Sequence, residues 1–469
     1  MTVPALLRGA YMQQGSIADV GRRNRKSNLI SMLTVVSILF LCIFSGRAVL
    51  AESGSEEGPL QDEALSNLIE GWPYMESIGE ATGLVIDADN GGVIYSLNRD
   101  AIRYPASTTK VLTALLVLEN ASLDDIVTMS DTGVQMAISG SSNCQSSVGE
   151  QFTVEQCLYI LLLKSANDIA NQLAEHVGGT LEHFVEMMNE RARELGCTNT
   201  HFTNPSGMPD PEHYTTAEDL ARIMQAAVKN ETFLKIAGTE KVTIPPTNTH
   251  AESRTYVNHN ALLISDGEYY YPYCIAGKTG YTDSAWRTYV SAARKDDRTL
   301  ICVLMKGPDK TDFSDAAELF EYGFNEFSKI EVPGGSINLP NGYTVDDTGD
   351  DTMDMADGTK RVTFYFDRLP VGKAVMTQQQ YAELRHLSLP APAEEEKTEE
   401  ETAQPARDKS GNGGWIGIVV IVLLAAAILT GAFLLYRDYM EKKRRRERRR
   451  RALERKRARE QDAQGKDSK

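Results

Sequence analysis

The chain is poor in the groups that hold metals. No Cys-x-x-Cys pair occurs and no histidine–cysteine spacing fits a zinc site, so neither a metal nor another cofactor is expected. The cysteines are Cys42, Cys144, Cys157, Cys197, Cys274 and Cys302. Cys42 falls in an N-terminal apolar run, which leaves five, an odd number, so at least one thiol stays unpaired in a monomer. Buried free cysteine is the expectation, with a Cys144–Cys157 bridge as the alternative. Positive charge is also scarce in the body. Residues 437–469 hold 16 Lys/Arg and 7 Asp/Glu (net +9) and residues 1–51 carry net +5, so the total of −16 leaves −30 for residues 52–436. Phosphate would be repelled by such a body, which argues against a nucleic-acid partner. The chain has neither the composition of a disordered protein nor that of a fibrous one: 42% of residues are apolar and 24% charged, over a length that suits two domains plus tails.

Both ends carry membrane signals. Arg22, Arg23, Arg25 and Lys26 precede an apolar run, Leu29 to Phe44, and Val49-Leu50-Ala51 offers small residues for cleavage. This reads as a secretory signal peptide over residues 1–51, with Met12 a candidate true start and an uncleaved anchor as the alternative. Trp415 to Tyr436 is 22 residues without a charge, with an aromatic residue at each end. At 1.5 Å per residue that length crosses a bilayer. The tail over 437–469 is basic, and the positive-inside rule places it in the cytoplasm, so the body is expected outside a single-pass membrane anchor. Residues 390–414, with Glu394-Glu395-Glu396 and Glu399-Glu400-Glu401, read as a disordered acidic linker.

Within the body, Gly83–Asp87 and Val93–Tyr95 flank an Asn90-Gly91 turn and predict a hairpin. Ser107-Thr108-Thr109-Lys110 then opens an apolar helical segment. Ser107 and Lys110, three apart, share a helix face. A serine hydroxyl needs a base. A lysine can serve if burial and a nearby positive charge lower its pKa, and the N–H groups at a helix start favour negative charge developing on the serine. Alone the Ser-x-x-Lys spacing is weak, since chance yields about one or two in such a chain; it occurs once here. The second element is Ser165-Ala166-Asn167, at the break after a helix that Thr153 and Gln156 start with a capping box, placing Ser165 for proton transfer and Asn167 for a substrate carbonyl. The third is Lys278-Thr279-Gly280-Tyr281: a cation, a hydroxyl and a glycine that lets a ligand approach the backbone. A β-rich stretch, Tyr269–Ile275, precedes it, and strands over Tyr289–Ala293 and Leu300–Met305 follow.

The order Ser-x-x-Lys, Ser-x-Asn, Lys-Thr-Gly is that of penicillin-binding proteins and class A β-lactamases. Over about residues 65–328 the chain resembles the low-molecular-mass penicillin-binding proteins, the serine-type D-Ala-D-Ala carboxypeptidases (peptidase S11-like). The segments Leu162–Asp168, Thr203-Asn204-Pro205-Ser206-Gly207 and Gly277–Thr282 carry this resemblance. It implies an α/β, transpeptidase-like fold: an antiparallel sheet flanked by helices over residues 60–328. It also implies Ser107 as the acylated nucleophile, Lys110 as its base, Ser165 and Asn167 lining the cleft, and Lys278 with Thr279 on the terminal carboxylate. Ser107 and Tyr281 would supply the oxyanion N–H groups, and Gly280 the close approach. Peptidoglycan stem peptides and β-lactam antibiotics are the expected ligands, the former added along the Lys278 strand.

Two departures stand out. Residues 330–389 are short for the family's β-rich C-terminal domain, with strands expected at Arg361–Phe366 and Lys373–Met376 and an acidic insert at Asp346–Asp357. A full span also replaces the amphipathic anchor common in relatives. Two other readings share the motifs. A β-lactamase would need a Glu-x-x-Leu-Asn segment, which is lacking, and a penicillin-sensing receptor would need a larger cytoplasmic domain than the tail provides.

Overall fold

The two runs around Asn90-Gly91 pair as strands β1 (Thr82–Asp87) and β2 (Val93–Leu97). Their connection is longer than a two-residue turn: Asp87 Oδ1 accepts from the N–H groups of Asp89 and Asn90, and Gly91 takes φ +70°. Two small two-stranded sheets follow, β3 (Ile126–Thr128) with β4 (Gln151–Thr153) and β5 (Lys241–Ile244) with β6 (Arg254–Val257). Strands β7 (Cys274–Thr282), β8 (Trp286–Lys295) and β9 (Arg298–Gly307) complete a five-stranded antiparallel sheet in the order β2-β1-β9-β8-β7. The computed structural model describes residues 63–135, 141–308 and 311–387. The expected leader (1–51), linker (390–414), span (415–436) and tail (437–469) lie outside them. Among the described residues no helix is long and apolar enough to cross a membrane.

Strands β1 and β9 are buried almost throughout. An antiparallel strand buried on both faces needs cover on both sides. Helix α1 (Lys110–Asn120) starts right after the Ser107 turn, and α2 (Val154–Tyr159) and α3 (Asn167–Gly178) flank the Ser165 break. Helix α4 (Ala217–Ala227) packs on β1, β8 and β9 and against α1, and α5 (Asp312–Glu326) packs on β8 and β9. Adjacent residues of β8 show the two faces. Tyr289 packs edge-on against Phe313 of α5 at 5.3 Å. Thr288 points the other way and donates its hydroxyl to the Pro105 carbonyl at 2.8 Å. The motif strand β7 lies at the sheet's edge, with β8 as its only neighbour in the sheet.

The stretch Tyr269–Ile275 is not a strand up to Cys274, where β7 begins. Pro272 has no N–H for a ladder. The tyrosines around it pack on α5 instead: Tyr271 stacks on Phe320, and Tyr273 meets Phe324 edge-on. Cysteines 144, 157, 197, 274 and 302 are all buried and free, so Cys144 and Cys157 are not bridged.

Beyond α5 the chain enters a second antiparallel sheet without a linker: β10 (Phe327–Val332), β11 (Gly335–Pro340), β12 (Gly349–Asp354), β13 (Thr359–Phe366) and β14 (Leu369–Thr377), in the order β10-β11-β14-β13-β12. Five strands stand where the alternation of apolar residues marked two. The acidic insert is itself strand β12, mostly exposed and paired only with β13. Its aspartates belong on such an edge, because charge there discourages pairing with another chain.

A mixed seam joins this sheet to the first. Trp72 donates to the Ile94 carbonyl at 2.9 Å and packs on Phe327 and Phe366. Beside it the buried Arg298 guanidinium donates to the carbonyls of Gly323 (3.0 Å) and Phe327 (2.8 Å), to Asn338 Oδ1 (2.8 Å) and to Asp87 Oδ2 (3.4 Å). Asn338 in turn donates to Asn90 at 2.9 Å. Burial pushes the Asp87 carboxyl above its ordinary pKa and Arg298 below its own. Against that burial, the Asp89 N–H and then the Arg298 charge favour the Asp87 carboxylate, and Asp87 in turn favours the charged Arg298. Removing one partner of a buried pair costs about 3–5 kcal/mol. Arg298→Ala is expected to lower the unfolding free energy by about 3 kcal/mol or more, read as the urea midpoint at constant m-value; an unchanged midpoint would show that the seam does not depend on this pair.

Candidate active site

Three weak motifs become one site because the fold brings their backbones together. Ala106–Thr109 forms a 3₁₀ turn that runs directly into α1. Pro105 anchors it: its carbonyl accepts from the Thr108 hydroxyl at 2.7 Å and from Thr288 of β8. Ala106 holds φ +49°, a left-handed conformation that alanine adopts at a cost.

Lys110, three residues past Ser107, is entirely buried in the first turn of an apolar helix. Its Nζ lies 3.0 Å from Ser107 Oγ and 2.7 Å from Asn167 Oδ1, and it also meets the Ser206 carbonyl. Burial, and after it the nearby Lys278 charge, hold its pKa well below the ordinary lysine value. A neutral amine has two hydrogens and one lone pair. Asn167 Oδ1 and the Ser206 carbonyl take the hydrogens, which leaves the lone pair for the Ser107 hydroxyl to donate into.

The second motif sits where α2 gives way to α3. The Thr153–Gln156 capping box starts α2, a π turn over Ile160–Lys164 widens its end, and Ser165 turns the chain at φ +62°. Ser165 Oγ is buried and has no hydrogen-bond partner among the described residues. An unpaired buried hydroxyl costs about 1–3 kcal/mol, and it points to a group that arrives with a ligand. Asn167 Nδ2 reaches only the Met208 thioether at 3.4 Å among the described residues, a weak acceptor. Asp168 fixes this corner. It accepts from the N–H groups of Cys144 and Ser146, from the Ser146 hydroxyl and from its neighbour Ile169, so the 142–146 loop stays against α3, and the Ser142 carbonyl takes the Asn167 N–H.

The third motif lies on β7. Lys278 is 2% exposed, and its Nζ donates to the Thr279 carbonyl at 2.8 Å. Burial pulls its pKa down to about 7. Among the described residues no carboxylate pairs with it. The Thr279 side chain is half-buried and that of Tyr281 is 62% exposed, with its hydroxyl 3.2 Å from Asp283. Gly280 is required by space: a Cβ there would sit 2.7 Å from the Ser107 nitrogen and 2.4 Å from the Thr288 hydroxyl. The strand and the Ser107 turn could not meet around any other residue.

Thr203–Gly207 was legible only as a family-like segment, yet it completes the Lys110 environment. Asn204 Oδ1 accepts from the backbone nitrogens of Ser206, Gly207 and Met208 and from the Ser206 hydroxyl. That knot presents the Ser206 carbonyl to Lys110. Gly207, at φ +84°, lies against the Ala106 carbonyl, where a Cβ would come within 1.8 Å. The buried His213 is a brace. Its Nδ1 accepts from the Thr203 N–H at 3.1 Å, so Nε2 donates to Thr109 Oγ1 at 2.9 Å, and burial lowers its pKa to about 4.

Residues 73–309 match the family model described as D-alanyl-D-alanine carboxypeptidase, peptidase S11. Among curated proteins, the D-alanyl-D-alanine carboxypeptidase DacB2 of Mycobacterium tuberculosis is 37% identical over 250 residues, 52% of this chain and 81% of that one. DacF of Bacillus subtilis, of the same description, is 29% identical over 298 residues, 63% of this chain and 70% of that one. Among solved structures, a Streptomyces DD-transpeptidase superposes with a TM-score of 0.50 at 31% identity, covering 54% of this chain and 99% of the other. The matched region spans the first sheet, helices α1 to α4 and every residue placed above at the site, and on this footing the chain belongs to the peptidase S11 family, the D-alanyl-D-alanine carboxypeptidases.

Proposed function

We propose that the carboxypeptidase reaction of this family is divided among the residues of this chain as follows. The stem peptide adds along the free edge of β7, with its terminal carboxylate at Lys278 and Thr279. Ser107 Oγ attacks the carbonyl of the penultimate D-alanine while its proton passes to the neutral Lys110 amine. The oxyanion is held by the N–H groups of Ser107 and Tyr281. Ser165 hands a proton to the departing D-alanine nitrogen and regains one from Lys110. The C–N bond breaks and an ester to Ser107 remains, and water attacks that ester to release the shortened peptide and restore the hydroxyl. Asn167 orients the substrate carbonyl and Lys110 together. A β-lactam carries a carboxylate in the matching place and acylates Ser107 by the same attack. The observation that carries this division is the Lys110 amine, buried and depressed in pKa, 3.0 Å from the only serine at its helix start.

We also propose that Trp415–Tyr436 anchors the enzyme in the cell membrane, with the catalytic body outside, the 437–469 tail inside and the 390–414 linker between. The sequence supports this: 22 uncharged residues are followed by a strongly basic tail.

Ser107→Ala is expected to abolish both fluorescent-penicillin labelling and D-alanine release while changing stability by no more than about 1 kcal/mol, the scale of a helix cap. Normal labelling of that variant would remove Ser107 from the role.

The two lysines set the pH profile. Lys110 must be neutral, so kcat/KM rises as pH increases through its depressed pKa. Lys278 must be charged, and its pKa in the free enzyme is about 7, so the carboxylate's partner is lost as pH rises through that value. The profile should therefore fall on an alkaline limb near neutrality, and an amidated substrate should lack that limb. Lys278→Gln should lower kcat/KM about tenfold to a hundredfold. Amidation should then penalise the native enzyme far more than this variant; equal penalties would mean that Lys278 does not receive the carboxylate.

A chain ending at Pro390 is expected in the soluble fraction with full D-alanine release, the intact chain in the membrane fraction. A truncated protein that still sediments with membranes would refute the anchor.

A further inference from the structure

Glu80 and Asp315 take no part in the chemistry described above, yet they meet inside the body with no cation between them. Glu80 lies two residues before β1, and its side chain turns inward: the residue is 3% exposed. Its Oε1 accepts from the Thr311 hydroxyl at 2.9 Å. Its Oε2 is buried, and no N–H or hydroxyl among the described residues donates to it. Asp315, in the first turn of α5, reaches the same place. Its Oδ2 accepts from the Gly79 N–H at 2.6 Å, and its carboxyl is hydrogen-bonded to that of Glu80. Close packing holds both groups there. A Cβ at Gly307 would come within 2.6 Å of the Glu80 stem, and one at Gly79 within 2.9 Å of the Thr311 hydroxyl.

The other titratable groups facing the pair are Tyr95 of β2, with Tyr74 beside it, and Cys302 of β9. None of them is a cation. Arg287 of β8 is occupied by Asp312, whose two oxygens accept from it at 3.0 and 2.7 Å. A carboxylate oxygen only accepts, so two carboxylates cannot hydrogen-bond to each other. Two like charges in contact and out of water do not both ionise. Burial, and after it the Asp315 charge, raise the Glu80 pKa to about 8. A proton on Glu80 Oε2 turns the one oxygen that lacks a donor into a donor toward Asp315.

We propose that Glu80 and Asp315 share one proton at neutral pH as a latch that pins the first turn of α5 to the entry of β1, and that the latch opens in alkali. That turn also carries Asp312, which holds Arg287 opposite Tyr281, so the edge hairpin β7–β8 is tied to the same point. In the unfolded chain Glu80 ionises near its ordinary 4.5, whereas the folded chain keeps the proton up to about 8. The latch's contribution to stability is therefore whole below the lower value and is lost as pH rises through the upper one.

The test compares urea midpoints of the full-length native protein and of Glu80→Gln between about pH 5 and pH 9. Glutamine keeps the shape and donates to Asp315 but cannot ionise, and every other group titrates alike in the two proteins. The native midpoint should fall relative to the variant's as pH rises, and the gap should stop changing once pH is well above about 8. Asp315→Asn removes the charge that helps hold the proton on Glu80, so its own fall should end at a lower pH than the native one. Parallel curves for the native protein and Glu80→Gln overturn the latch, as does a fall in Asp315→Asn that ends at the native pH. Infrared difference spectra of the native protein give a reading that needs no variant to fold. A carboxylic-acid carbonyl band should be present near neutrality and bleach as pH passes about 8, and the absence of such a band near neutrality overturns the shared proton directly.

Discussion

The amine of Lys110 is the point on which the rest of the structure turns. An ammonium taken out of water without a counter-ion costs several kcal/mol, so burial alone drives the group toward its neutral form. A neutral amine still needs its hydrogens accepted, and the fold meets that need from two distant parts of the chain. The π turn after α2 delivers Asn167, and the Asn204 knot delivers the Ser206 carbonyl. Asp168, Gly207 and His213 do not touch the reacting atoms. They hold in place the pieces that do, or the turn on which Ser107 sits.

Two buried lysines in one cleft cannot both carry charge at little cost, and their surroundings divide the work. Lys110 is ringed by acceptors that suit an amine and is pushed further down by its neighbour's charge. Lys278 keeps a pKa near 7 because burial is its only large perturbation, and an arriving carboxylate would offset that burial. Pairs of titratable groups whose environments drive their pKa values apart are how one site holds both a base and a cation at neutral pH. Two of the left-handed residues lie at this site. Ala106 and Ser165 each occupy the left-handed region, one immediately before the nucleophile and one as the Ser-x-Asn serine itself. Such strain costs of order 1–3 kcal/mol a residue and persists only where the surrounding structure fixes it.

The chemistry was legible in the sequence where it is local. Ser107 and Lys110 are three apart across a 3₁₀ turn and the start of α1, Ser165 and Asn167 two apart at a helix break, and Lys278 to Tyr281 contiguous on a strand; each spacing is weak alone, and the three in order expose the site. The Ser206 acceptor was not, because a backbone carbonyl leaves no residue-type signature; the only hint was a turn-forming Asn-Pro-Ser-Gly string. The second sheet was half visible. Strand β13 alternates clearly, whereas β12 is an aspartate-rich edge that reads as loop, and β10 follows α5 with no break in composition. Tyrosines at 269–273 look like a strand until Pro272 and the facing α5 aromatics are considered together.

The cysteines carry a consequence for the conditions in which the chain can fold. All five in the described body are buried and unbridged, and burial raises every one of their pKa values, that of Cys197 and of Cys274 to about 12. Burial disfavours the thiolate, the reactive form of a cysteine. These thiols are shielded from solvent and kept protonated, and no cross-link among the described residues has to form for the core to close. Its stability comes from packing and from the Arg298 seam, so the same fold holds in a reducing compartment and in an oxidising one.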